Sequence, residues 1–248
     1  MSERIDKYML EKQMVRTRSQ ARMLIKQGDV LCNGKEVSKP GLNVSDDDLI
    51  EIKQRFLYVS RGALKLVKAI EEFGLDFNGM TVADCGASTG GFTQVSLMNG
   101  ASKVYALDVG HDQLDMILRE DPRVENREGV NLKFEIPLDD KVDICVADLS
   151  FISITKVFLN MRKILKPNGF SVVLIKPQFE AGSERVSKGG IVKDVHLEEI
   201  VTEVKSWFHD NGFVIKSICP SPITGKTGNT EYLALIKDQA TSQIDNEA

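Results

Sequence analysis

The chain has 248 residues, of which 42% are hydrophobic and 27% charged, with a formal net charge of −4. That balance excludes a disordered or fibrous chain and supplies a core for one domain of ordinary size plus a small module. No run approaches eighteen uncharged apolar residues, which excludes a membrane-spanning helix. The opening Met1-Ser2-Glu3-Arg4-Ile5-Asp6-Lys7 lacks the apolar stretch of a secretion signal. Cys32, Cys85, Cys145 and Cys219 are dispersed, with no Cys-x-x-Cys pair. A cytoplasmic protein without a disulfide framework or structural zinc is therefore expected. His111, His196 and His209 are scattered as well, so no metal centre is expected.

Charge is unevenly placed. Residues 1–39 hold nine basic and five acidic side chains, a net of +4, which leaves −8 for the remainder. A basic end on an acidic protein suits approach to a polyanion. Residues 12–27 contain five basic and no acidic residues. Arg18, Arg22 and Lys26 recur every four positions, which lines them along one helical face, with Ala21, Leu24 and Ile25 opposite. Gly28 stops that helix. Val30-Leu31-Cys32 leads into Asn33-Gly34 as a strand entering a hairpin turn, and a short strand is expected at Leu49-Ile50-Glu51-Ile52. Together these make a small α+β unit. Lys53-Gln54-Arg55-Phe56-Leu57-Tyr58 reads as a connector.

The ordered combination Arg4-Ile5-Asp6, Thr17-Arg18-Ser19-Gln20-Ala21-Arg22 and Ile25-Lys26-Gln27-Gly28-Asp29-Val30-Leu31-Cys32-Asn33-Gly34 resembles the RNA-binding module named after the fourth small-subunit ribosomal protein. The resemblance implies contacts to structured RNA through Arg4, Arg16, Arg18, Arg22 and Lys26. Such contacts would be mainly phosphate-directed and salt-sensitive.

After the connector, a helix capped by Ser60 is expected to run to Phe73. Strands are expected over 80–85, 103–108, 124–127, 142–148, 170–176, 213–219 and 232–236, separated by helices over 93–98, 113–118, 154–165 and 197–209. This alternation predicts a doubly wound, mainly parallel, Rossmann-like α/β sheet. The expected organisation is an RNA-binding domain over 1–53, a linker over 54–59, a catalytic domain over 60–238 and a polar tail over 239–248.

Ligands of such sheets bind beyond the carboxyl ends of the strands. The strand ending at Cys85 runs into Asp84-Cys85-Gly86-Ala87-Ser88-Thr89-Gly90-Gly91-Phe92-Thr93, where Gly86 and Gly90 permit a tight turn and close approach of a ligand to the backbone. The loop is not the Gly-x-Gly-x-x-Gly of a dinucleotide site. The next strand ends at Asp108-Val109, and the Asp108 carboxylate could accept both hydroxyls of a ribose. A nucleoside with an amino-acid tail, S-adenosylmethionine, fits that pair of features. Glu128 and Asn131, after the following strand, are candidate adenine contacts. Residues 183–192, with Lys188-Gly189-Gly190, read either as a loop closing over substrate or as a plain surface loop.

This segment also resembles the FtsJ-type ribose methyltransferases. The whole chain, from about residue 3 to 237, resembles the TlyA-type rRNA methyltransferases, a family also labelled haemolysins. The residues that carry the match are Ser60-Arg61-Gly62-Ala63-Leu64-Lys65-Leu66, the glycine loop, Asp148-Leu149-Ser150-Phe151-Ile152-Ser153, Lys176-Pro177-Gln178-Phe179-Glu180 and Gly228-Asn229-Thr230-Glu231. The resemblance implies a catalytic tetrad of Lys65, Asp148, Lys176 and Glu231, methyl transfer to a ribose 2′-hydroxyl, and ribosomal RNA or ribosomal subunits, with cytidine as the target. A hydroxyl is a poor nucleophile until its proton is removed or polarised. Lys176 is expected to ready it, Asp148 and Glu231 to orient and balance the lysines, and Lys65 to hold the hydroxyl or an adjacent phosphate.

Other methyl-transfer chemistries leave different marks. Amine methylation commonly uses Asp/Asn-Pro-Pro-aromatic where this chain has Asp148-Leu149-Ser150-Phe151. Methylation at cytosine carbon five needs a Pro-Cys motif, and none of the four cysteines sits in one. Two further readings stand beside the enzyme. One is an RNA-binding assembly factor without turnover, which the intact tetrad opposes. The other is the lysin implied by the label, which the lack of a strong amphipathic membrane helix opposes.

Overall fold

Contacts along the chain separate two units, Met1–Leu57 and Tyr58–Ala248. A computed structural model describes residues 2–15, 17–52, 58–225 and 227–240. Arg16, most of the expected linker and residues 241–248 of the expected tail lie outside the described residues.

The first unit contains β1 (Glu3–Arg4), α1 (Ile5–Glu11), α2 (Arg18–Gln27), β2 (Val30–Cys32), β3 (Lys35–Glu36), β4 (Asn43–Val44) and β5 (Ile50–Ile52). The Thr17 hydroxyl caps α2 by accepting from Gln20 N at 3.1 Å, and Gly28 closes it in the left-handed conformation. Ala21, Leu24 and Ile25 are buried in one cluster with Ile5, Met9 and Val30. Asn33 and Gly34, both at positive φ, turn β2 into β3 as the sequence pattern requires. The helix α1 was not expected. It is short, lacks a side-chain cap, and is held by burial of Ile5 and Met9.

The second unit runs through α3 (Ala63–Phe73), β6 (Thr81–Cys85), α4 (Gly91–Met98), β7 (Lys103–Leu107), α5 (Met116–Arg119), β8 (Val124–Arg127), β9 (Val142–Ala147), α6 (Phe158–Ile164), β10 (Leu165–Ile175), α7 (Pro177–Glu180), α8 (Leu197–Asp210), β11 (Phe213–Pro220) and β12 (Tyr232–Asp238). Seven strands form one sheet in the order β11-β12-β10-β9-β6-β7-β8. From β10 to β8 all pairings are parallel, whereas β12 is antiparallel to both β10 and β11. The central strands are covered on both faces, which is why they read as unbroken apolar runs. One face packs Cys145, Ala147 and Val173 with Phe158 and Phe208, and the other packs Val82, Val146 and Val172 with Leu66 and Val95.

Helix boundaries differ from expectation most at three helices, while α4 starts two residues early and α8 ends one residue late. The first helix of this unit begins at Ala63 with Gly62 as its N-cap, and Ser60 supplies a backbone carbonyl to Ala63 N rather than a side-chain cap. Close packing sets this start, because a Cβ on Gly91 would lie 2.4 Å from Ser60 Oγ and 2.9 Å from Ala63 N. The helix expected over 113–118 is the four-residue α5, displaced to follow its Asp115 cap. The helix expected over 154–165 divides into a 3-10 turn, Ile154–Lys156, and α6, and Leu165 already belongs to β10. The expected linker ends inside this unit, where Val59 N donates to Gln94 Oε1 at 2.7 Å. Likewise Gln239, expected in a frayed tail, is bonded to His209 O and Phe213 O. Among the described residues no helix is long and apolar enough to cross a membrane.

Candidate active site

Strand direction decides which residues meet. Asp148 follows β9 and Lys176 follows β10, so both stand at the carboxyl edge of the parallel sheet. Because β12 is reversed, its beginning lies at that edge, with Tyr232 opposite Ile175, and Glu231 therefore arrives beside Lys176. Lys65 reaches the same place from the first turn of α3.

The four side chains form one alternating chain of charge. Lys65 Nζ lies 2.9 Å from Asp148 Oδ2 and 2.8 Å from Glu231 Oε2, and Lys176 Nζ lies 2.6 Å from Asp148 Oδ1. Two cations and two anions cancel, which makes the burial of Lys65, Lys176 and Glu231 tolerable. Burial alone would raise the Asp148 carboxyl, but Lys176 and Lys65 outweigh it and hold the group below its ordinary range. Lys65 is enclosed by both carboxylates. Lys176 has one carboxylate, donates to Ser150 Oγ at 3.2 Å, and lies 5.9 Å from the Phe179 ring centre. Gln178 Nε2 donates to Glu231 Oε1 at 3.3 Å.

These groups line a cavity of about 760 Å³. Of the expected cofactor residues, Asp84, Gly86, Ala87, Ser88, Thr89, Gly91 and Phe92 also line it. Gly86 and Ser88 adopt positive φ, so the loop turns sharply away from β6. Asp84 is buried and accepts from Thr93 N and Oγ1 at 2.8 and 2.7 Å. Burial raises its pKa to about 7 against the Thr93 donors, and the Asp148 and Asp108 charges push the same way.

Gly90, Asp108, Val109, Glu128 and Asn131 do not line the cavity. Gly90 is required by its positive φ and by Leu118 and Leu114, whose methyl carbons would lie 2.3 and 2.7 Å from an added Cβ. Packing therefore constrains this position to glycine. Asp108 borders the glycine loop by accepting from Ser88 N and Gly110 N, each at 2.8 Å. Val109 is exposed. Glu128 accepts from Asp112 N, Arg119 and Asn126, and Asn131 Oδ1 accepts from Lys133 N.

Several residues at the cavity had no expected role. Phe151 is 91% exposed at φ +65° and lies 5.4 Å, centre to centre, from Phe179. A bulky residue in that conformation is an outlier that costs about 1–3 kcal/mol, and such strain clusters at functional sites. Asn229 is buried and joins two walls: its Oδ1 accepts from Val192 N, and its Nδ2 donates to Gly190 O and Thr227 Oγ1. Through these bonds the segment 183–192, open in the sequence between a closing loop and a surface loop, brings Val186 and Gly190 to the cavity. A polar motif residue after a glycine, Asn229 in Gly228-Asn229-Thr230, is the sequence signal for this. A contact 37 residues away has no local signature.

In the first unit, Arg4, Arg18 and Arg22 converge on Asp6, which is fully buried. Arg22 Nε donates to Oδ2 at 2.8 Å, Arg18 Nη2 to Oδ2 at 3.1 Å, and Arg4 to both oxygens at 3.0 and 3.2 Å. Against the cost of burial the three guanidinium groups hold the Asp6 carboxyl down at about 2. The cluster keeps a net charge of +2 with half-exposed heads, and Lys26 is exposed further along α2.

A sheet of this strand order, with a glycine turn after β6 and an acid after β7, defines the Rossmann-like class of S-adenosylmethionine-dependent methyltransferases. Comparison with known proteins makes the assignment narrower. Residues 58–237 match the FtsJ-like methyltransferase family and residues 3–50 match the S4 domain. Hemolysin A of Brachyspira hyodysenteriae is 45% identical, over 93% of this chain and 98% of its own. The 16S/23S rRNA (cytidine-2′-O)-methyltransferase TlyA of Mycobacterium tuberculosis is 39% identical over 95% of this chain and 90% of its own. A solved structure of a hemolysin-labelled protein from Streptococcus thermophilus superposes with a TM-score of 0.76 at 40% identity, covering 96% of this chain and 88% of that one. The chain belongs to the FtsJ-like methyltransferases, in the TlyA and hemolysin A branch that carries an S4 domain.

Proposed function

We propose that this protein methylates the 2′-hydroxyl of a cytidine in ribosomal RNA, in the cytoplasm, with the S4 domain holding structured RNA. The observation that carries the reading is the alternating quartet, with Lys176 at the end that has a single carboxylate, beside a cavity floored by the glycine turn.

The cavity has the size of small-ligand sites, and the acids Asp84 and Asp148 at its wall suit a cationic nucleoside. Bound S-adenosylmethionine supplies a methyl group activated by a positive sulfur. Asp84 and the backbone of residues 86–89 hold the cofactor in this reading, with Asp108 bracing the loop through Ser88 N. The Lys176 ammonium group donates to the 2′-oxygen and offsets the negative charge that develops there as the hydroxyl proton passes to solvent water and the oxygen takes the methyl group. Asp148 aims Lys176. Lys65, expected from the sequence to hold the hydroxyl or a phosphate, instead fixes Asp148 and Glu231, since both carboxylates are on its ammonium group. Phe151, exposed at the mouth against Phe179, offers a stacking face for an unstacked base, a contact worth about 1–3 kcal/mol. Arg4, Arg18, Arg22 and Lys26 present the charge that meets RNA phosphates.

Incubation with labelled S-adenosylmethionine and separated ribosomal subunits tests the reading. Label is expected at a cytidine whose 3′ linkage becomes resistant to alkali. Label confined to bases, with no alkali-resistant position, would sink it.

The pH dependence of cofactor binding gives a second test. In the free protein Asp84 holds a proton that the unfolded chain has released between about pH 4 and 7, so this group lowers stability as pH rises through that window. A cationic ligand favours the ionised carboxyl. Calorimetric affinity for S-adenosylmethionine is therefore expected to rise from about pH 5.5 to about 7 and level off above, with a shallower rise for S-adenosylhomocysteine. Equal slopes for the two ligands would remove Asp84 from the cofactor site.

A further inference from the structure

We propose that Glu180, a half-buried carboxylate outside the charged quartet, is a positioning residue that staples the loop carrying Phe151 to the segment carrying Lys176 and Phe179. The inference rests on the reading of Phe151 as the stacking face for the target base.

Glu180 is the last residue of α7, four positions after Lys176. Its Oε2 accepts from Ser153 Oγ at 2.5 Å and its Oε1 from Ile154 N at 2.9 Å. Burial raises this carboxyl, and the two donors act against that rise. Both donors belong to the far end of the loop that begins at Asp148. The near end of the same loop is tied to Lys176 through Asp148 at 2.6 Å and through Ser150 at 3.2 Å. Two segments, one after β9 and the other after β10, are thus joined at both ends. Phe151 and Phe179 project between the ties.

The choice of residue follows from the donors. The Ile154 N–H must be met by an acceptor, and a carboxylate or an amide can meet it with one atom while its second polar atom pairs with the Ser153 hydroxyl. The positive φ of Phe151 points to the same need, because a strained conformation persists only where its surroundings over-determine it. Without Glu180 the loop keeps its Asp148 anchor and loses its anchor beyond Phe151. The base platform is then free to relax, and the charged quartet is left intact.

The test is a double-mutant cycle on single-turnover methylation of ribosomal subunits with saturating S-adenosylmethionine. Glu180→Ala is expected to lower the rate about tenfold to a hundredfold, with cofactor affinity by calorimetry changed less than about twofold. In a Phe151→Ala background the same substitution is expected to cost less than about threefold, because the side chain it positions is gone. Glu180→Gln is expected to recover most of the rate, since the amide oxygen can accept from Ile154 N and the amide nitrogen can donate to Ser153 Oγ. Should Glu180→Ala not fold, Ser153→Ala removes one of the two hydrogen bonds of the tie and is read in the same cycle, with a smaller loss expected. Equal losses in both backgrounds, or a parallel loss of cofactor affinity, would overturn the proposal. Full activity of Phe151→Ala alone would overturn the stacking reading beneath it, and the proposal with it.

Discussion

Lys176→Ala is expected to slow single-turnover methylation about a thousandfold while leaving affinity for S-adenosylmethionine within about twofold. The two lysines of the quartet are not equivalent. Both border the cavity, but Lys65 is bonded to two carboxylates, whereas Lys176 faces one carboxylate and a serine hydroxyl. The ammonium group with the smaller commitment is the one that can turn a donor to a substrate oxygen. Removing it leaves Asp148 paired to Lys65, so the fold should hold, and near-native unfolding by urea checks that it does. A rate within about tenfold of the parent would move the chemistry away from Lys176.

Asp148→Ala acts on the same quartet and is expected to damage stability as well as rate. It removes the anion between two cations. Lys65 is then left with Glu231 alone and Lys176 with Ser150, and both lysine side chains are only 8% exposed. Breaking a buried ion pair from one side typically costs about 3–5 kcal/mol, because the remaining charge stays desolvated. The single tryptophan, Trp207, lies in α8 of the same unit and packs against its core, so its fluorescence during urea unfolding reports on this unit. The midpoint should fall with little change in slope. An unaltered midpoint would mean that Asp148 contributes nothing to holding the lysines in place.

The legible part of this fold was the part set by local pattern. Strands β6, β7 and β9 are buried on both faces, so their apolar runs stood out, and the polar residue ending each run, Asp108 or Asp148, marked the working edge. The reversal of β12 has no such signature. Glu231 precedes an apolar run, a position that would face away from the site in an all-parallel sheet, and only the resemblance brought it into the tetrad. The same limit explains Asp6 and Glu180. Each is a single acid within a stretch that carries the resemblance, but its own importance comes from donors that folding brings to it: Arg22 sixteen residues on, and Ser153 twenty-seven residues back. Arginines at helical spacing were legible as a basic face, but spacing could not reveal that Arg18 and Arg22 share one buried counter-ion. Glu128 and Asn131 follow β8, the edge strand of the sheet, and their place in the chain gave no sign that they would not line the cavity formed beside β6 and β9.

The insertion of β12 between β10 and β11 also sets an order on the making of the enzyme. Its residues are polymerised after every other strand of this sheet, yet they complete the middle of the sheet on that side and bring the second carboxylate to Lys65. Until they emerge, a nascent chain can carry a folded RNA-gripping module with no functioning chemistry behind it. A fragment ending before residue 231 is therefore expected to occupy RNA without marking it.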